Sequence, residues 1–69
     1  MNKPTDEELQ GMTVNERLFA LGLLDQWDKA VLKRNRSEMI KLLGKCALPE
    51  EQCEETADAV LANPPKYGF

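Results

Sequence analysis

The densest apolar segment of the chain runs from Thr13 to Arg34, TVNERLFALGLLDQWDKAVLKR, and its pattern changes along its length. Leu18, Phe19, Ala20 and Leu21 are consecutive, and Leu23 and Leu24 follow. With about 100° of rotation per residue, these positions fall on nearly all sides of a helix. From Trp27 onward the pattern narrows to Trp27, Ala30 and Val31, and the other positions turn basic. The start is marked by Thr13-Val14-Asn15-Glu16, in which a hydroxyl at the N-cap and a carboxylate at N3 satisfy each other's backbone donors. The segment predicts one long helix over 13–34. Lys33 and Arg34 suit the negative end of its dipole, and Asn35 suits the position after the cap. Gly22 in a helix interior costs roughly 1 kcal/mol against Ala, and close approach of another helix there is one reason to keep it.

Two further helices follow. Ser37 reads as an N-cap before Glu38, and Met39, Ile40, Leu42 and Leu43 give apolar contacts at helical spacing over 38–44, where Gly44 closes the element. Pro49 opens a third helix over 49–62, with Cys53, Ala57, Val60 and Leu61 as its apolar stripe. Asn63-Pro64-Pro65 stops it. No segment alternates with period two, so no sheet is expected. The prediction is all-α: a small three-helix domain over 13–63, long, short and medium.

The flanks are less regular. Residues 1–12 hold a second capping box, Thr5-Asp6-Glu7-Glu8, whose helix meets Gly11 within two turns. So short a helix is marginal alone. The segment reads as a mobile arm with an extra N-terminal turn, or as an arm anchored by Leu9 and Met12. Residues 64–69 read as an extended tail biased by Pro64 and Pro65, carrying Tyr67 and Phe69 either to a partner's groove or back onto the core.

Size sharpens this picture. A chain of 69 residues buries a modest share of its surface and usually needs a disulfide, a metal or another subunit. Two cysteines and no histidine close no tetrahedral zinc site, so no metal or other cofactor is expected. Cys46 and Cys53 read as small core residues rather than as a bridge or redox switch. A helix apolar all round is buried all round, and two short helices hardly cover it. The expectation is a homodimer in contact through Leu18, Phe19, Leu21, Gly22 and Leu23. The acidic N-terminus lacks the features of a secretory signal, and the apolar run Leu18–Leu24 is far short of the ~20 residues that span a bilayer. A cytoplasmic protein without membrane contact is expected.

The charge comes in blocks. Residues 1–28 carry Lys3 and Arg17 against six acids; residues 29–45 carry Lys29, Lys33, Arg34, Arg36, Lys41 and Lys45 against Glu38; residues 46–69 carry Lys66 against five acids. Catalysis finds no support: the commonest general base is missing, Ser37 has no base beside it, and Gly44-Lys45 lacks the rest of a phosphate loop. Helices two and three have the outline of a helix-turn-helix, but helix three would set acids against DNA phosphates. Glu51, Glu54, Glu55 and Asp58 instead form one acidic face, with like-charge pairs at i, i+4. The sequence therefore points to a non-catalytic protein acting by protein–protein contact. A basic partner would meet Glu51, Glu54, Glu55 and Asp58, or a partner groove would take Tyr67 and Phe69. The alternative is a nucleic-acid-associated regulator using the basic block 29–45, with nucleic acid the less expected partner.

Overall fold

Gly22 breaks the segment that the pattern reads as one helix. The computed structural model describes residues 5–69, and its Gly22 has φ +71°. The Leu23 N–H donates to the Leu18 carbonyl at 2.8 Å and the Gly22 N–H to that of Phe19 at 3.0 Å. This is the double bond pattern of a helix closed by a left-handed glycine, with an apolar pair across the turn. Leu18 and Leu23 form that pair, and both are buried. The predicted helix over 13–34 is thus two, α2 (Val14–Ala20) and α3 (Leu24–Leu32), preceded by α1 (Asp6–Gln10) and followed by α4 (Arg36–Gly44), α5 (Glu50–Ala62) and a 3₁₀ turn over Pro64–Tyr67. The all-α class holds, and no strand occurs among the described residues. Nothing lies within 4 Å of a Cβ built on Gly22, so conformation, not the approach of another helix, is what requires glycine there.

The same closure recurs at Arg34, φ 54°, where Asn35 N–H reaches the Ala30 carbonyl at 2.8 Å and Arg34 N–H reaches that of Val31 at 2.9 Å. Asn35 then serves a second purpose: its side chain accepts from Glu38 N–H at 3.2 Å and caps α4. The cap is therefore Asn35 and not Ser37. Arg34 tolerates the left-handed region while its guanidinium donates to the Leu61 carbonyl at 3.0 Å, tying the α3–α4 turn to the end of α5.

The centre of the fold is α4. Met39, Leu42, Leu43 and Cys46 recur at i, i+3, i+4 and i+7, and each is 0% exposed. Helices α3 and α5 pack along α4, and α2 touches both α3 and α4. From α3 come Trp27, Ala30 and Val31; from α5, the stripe Cys53, Ala57 and Val60, as its spacing predicts. Truncating Leu42 or Leu43 at such positions costs about 2–5 kcal/mol.

Both capping boxes form: Thr5 Oγ1 accepts from Glu8 N–H and Thr13 Oγ1 from Glu16 N–H, each at 3.2 Å. From Thr5 on the N-terminal segment carries a capped helical turn that places Leu9 at 2% exposure, in line with the reading of Leu9 as an anchor; the part of the predicted arm before Thr5 lies outside the described residues. Arg17, only 7% exposed, fastens this segment. Its Nε donates to the Met12 carbonyl at 3.1 Å and its Nη1 to the Cys46 carbonyl at 3.1 Å, joining the α1–α2 turn to the end of α4. The planar fork of a guanidinium serves two separate acceptors in a way that a lysine ammonium does not match.

The C-terminal tail is a 3₁₀ turn rather than extended. Gly68 at φ +90° and the bond from Phe69 N–H to the Pro64 carbonyl, 3.1 Å, send the last residue back toward the core. Phe69 is half-buried against it. The fold-back reading of the tail holds for Phe69, while Tyr67 stays 44% exposed.

Candidate functional site

The residues marked from sequence do not form one site: some are core and the rest are spread over α2, α5 and the C-terminal turn. Glu51, Glu54, Glu55 and Asp58 are exposed along α5. Asp58 is held by Arg36, with Nε to Oδ1 at 2.6 Å and Nη2 to Oδ2 at 3.2 Å. That hydrogen-bonded guanidinium pulls the Asp58 carboxyl below the usual carboxylate range and raises Arg36 in turn. The α5 face is thus partly compensated within the chain. The same contacts thin the basic block, because Arg36 holds Asp58 and Arg34 donates to the Leu61 carbonyl. Lys29 on α3, Lys41 on α4, and Lys33 and Lys45 at the ends of those helices remain exposed.

The predicted dimer residues also separate. Leu18 at 1% and Leu23 at 9% exposure are core of this one chain. Leu21 packs half-buried against that core, and exposed Gly22 closes a turn. Phe19 alone of the five is an exposed apolar side chain, at 74%. The inference of a helix apolar on every side fails because the chain turns at Gly22. α2 buries Leu18 while α3 buries Trp27, Ala30 and Val31, and the leftover apolar residues come together on one outer face.

That face is the most distinctive surface of the molecule. Phe19, Leu32 at 72% exposure and Tyr67 at 44% are its large exposed side chains. Three clefts share residues across it. One of about 430 Å³ is lined by Met12, Asn15, Glu16, Phe19, Ala20 and Leu24. A second, about 550 Å³, is lined by Asn15, Leu24, Asp28, Leu32, Tyr67, Gly68 and Phe69. The third, about 440 Å³, is deeper, with Trp27 and Val60 in its lining and Thr13, Val14, Asn15, Thr56, Lys66, Tyr67 and Phe69 around them. Asn15 borders all three, Leu24 joins the first two, and Tyr67 and Phe69 join the last two. The surface is therefore continuous from Phe19 on α2, over Leu24 and Leu32 on α3, to the C-terminal turn.

Local structure explains each position. Asn15 and Phe19 are i, i+4 on α2, while Leu24, Asp28 and Leu32 form an i, i+4, i+8 row on α3. Sequence reasoning missed Leu24, Leu32 and Asn15; the α3 row was visible as spacing, but its exposure depends on where Gly22 turns the chain. The Glu16 carboxylate is fixed by accepting Thr13 N–H at 3.1 Å. That backbone bond, with the Thr13 hydroxyl, holds its carboxyl below the usual range. Lys66 Nζ lies 5.9 Å from the centroid of the Tyr67 ring, a cation–π distance.

The thiols offer no reactive site. Cys46 and Cys53 are free and buried, with Sγ contacts of 3.5 Å to the Leu42 and Leu48 carbonyls. Burial pushes both thiols up from the usual value, away from the thiolate that reacts. Among the described residues no helix is long and apolar enough to cross a membrane. No family model matches the chain, and none of the curated proteins or solved structures compared with it is similar to it.

Proposed function

We propose that this chain is a non-catalytic helical protein that acts by protein–protein contact, and that the face built by Phe19, Leu24, Leu32 and Tyr67 makes the contact. The observation that supports this reading is the exposure of Phe19 at 74% and Leu32 at 72% beside a core that is otherwise closed. Contiguous exposed apolar surface on a small protein marks an interaction site more often than scattered single residues do. Aromatic side chains are enriched at interface centres, and Phe19, Tyr67 and Phe69 supply three.

The acidic α5 face, with Glu51, Glu54 and Glu55, is a secondary reading of the same function, favoured by its exposed charge. Photo-crosslinking in the native host separates them. A photoreactive residue at position 19 or 32 should give discrete adducts with another protein, and one at position 51 or 55 should not. Adducts from 51 or 55 alone would move the site to α5. An adduct of twice the chain mass from 19 or 32 would make the contact a homodimer, through Phe19 and Leu32 rather than Leu18 and Leu23. No adduct from any position would sink the contact reading.

A further inference from the structure

The apolar face has its own charge pattern, which selects among occupants. Glu16 lines the cleft beside Phe19, and Asp28 lines the one beside Leu32. Among the described residues neither of those two clefts has a cation in its lining. Asp28 falls between Leu24 and Leu32 on the helical circumference, and exposed Asp25 lies about 20° beyond Leu32. Lys29 and Lys33 point outboard, about 60° and 100° past Leu32. Lys66 stands over Tyr67, in the lining of the third cleft.

Three occupants fit an apolar face of this kind: a second copy, a membrane surface, or a partner protein. In a symmetric pair the same patch lies on both sides, which gathers two sets of Glu16, Asp25 and Asp28 into one interface against Lys66 as the cation that each copy brings to its clefts. Anionic lipid headgroups would be repelled by the same acids. A basic partner gains at each of these points, because complementary charge speeds encounter and fixes register. Among the described residues there is no sheet edge for strand addition, and clefts that run between α2 and α3 over Phe19, Leu24 and Leu32 suit helix-in-groove docking.

We infer that this face receives an amphipathic helix from a partner protein. Apolar side chains of that helix cover Phe19, Leu24, Leu32 and Tyr67, and Lys or Arg residues along its edges face Glu16, Asp25 and Asp28. The inference rests on the contact reading above and adds the chemistry of the occupant.

The test uses the ¹⁵N-labelled full chain and three synthetic 18-residue helical peptides with the same leucine stripe, bearing Lys, Gln or Glu at the remaining positions. The Lys peptide is expected to shift the amides of Phe19, Leu24, Leu32 and Tyr67. It should bind roughly tenfold tighter than the Gln peptide at low salt, and the preference should shrink at about 0.5 M salt, where the Debye length falls to a few ångströms. Asp25→Lys with Asp28→Lys, both exposed positions, should reverse the order in favour of the Glu peptide. Equal binding of all three peptides at this face overturns the basic occupant and leaves the contact reading standing. Shifts confined to Glu51, Glu54 and Glu55 on α5 overturn the site. Shifts at neither surface overturn both. Concentration-dependent shifts without any peptide make the occupant a second copy.

Discussion

Replacing Gly22 with Ala separates the two descriptions of residues 13–34 by the sign of its effect. In one continuous helix the substitution would stabilise the fold by about 1 kcal/mol, the difference in helix propensity. In the structure Gly22 has φ +71°, a region where an L side chain crowds the following carbonyl, at about 1–2 kcal/mol. The added methyl meets nothing within 4 Å, so no clash adds to this figure. Ala also narrows the unfolded ensemble, which offsets about 0.4–1 kcal/mol. The net expectation is a loss of about 1 kcal/mol, read as a fall of about 4–8 °C in Tm for a domain of this size. Gly44 is the control: it ends α4 without a positive φ, it is exposed, and a Cβ there also meets open space. Gly44→Ala should stabilise by about 0.5–1 kcal/mol. Urea unfolding followed by circular dichroism reads both, with the slope m checked for constancy. If Gly22→Ala stabilises as Gly44→Ala does, the turn at Gly22 does not exist and the face that depends on it disappears.

Other substitutions probe the remaining joints. Arg17→Met should cost about 2 kcal/mol or more by urea unfolding, since it leaves the Met12 and Cys46 carbonyls without their donor, and Arg17→Lys should recover only part of that. Ala47→Gly, at φ 62°, should be neutral to about 1 kcal/mol stabilising by the same measurement, the reverse of Gly22→Ala. Asp58 and Glu16 have carboxyls lowered by their partners, so the stability they contribute is present at neutral pH and above the ordinary carboxylate value. It is lost as pH falls through their lowered values; a pH series of Tm should decline on the acid side, less steeply in Asp58→Asn. Cys46 and Cys53 are raised, so their contribution is complete below the ordinary thiol value and fades as pH rises beyond it. A thiol reagent at pH 8 should label neither cysteine until the chain unfolds.

Much of the fold is legible locally. The capping boxes at Thr5 and Thr13, the stripes of α4 and α5, and the stop at Asn63 are each written within a few residues, and each forms. The break at Gly22 is harder to see because glycine is admitted, at a penalty, inside a helix as well as after one. Leu18 and Leu23 around Gly22 already carry the apolar pair that a left-handed closure uses. Reading those residues as one helix also produced the dimer inference, because it stacked faces that in fact point to different places. The site was legible only in part. Phe19, Tyr67 and Phe69 stood out as aromatics, whereas the roles of Leu24, Leu32 and Asn15 come from the angle between α2 and α3, which no spacing encodes. The burial of Arg17 has no local signal for a related reason: one of its two acceptors, the Cys46 carbonyl, lies far away in sequence.

The proposed contact requires that Phe19 and Leu32 lie outside the core and add little to the stability of the fold. Its most direct test is the unfolding free energy of the double variant Phe19→Gln with Leu32→Gln, which adds no charge to the last turns of α2 and α3. At 74% and 72% exposure the two side chains should leave stability within about 0.5 kcal/mol of the parent, as surface changes do. A loss above about 2 kcal/mol would mean that these residues hold the fold together, and that the docking face proposed here is part of its core.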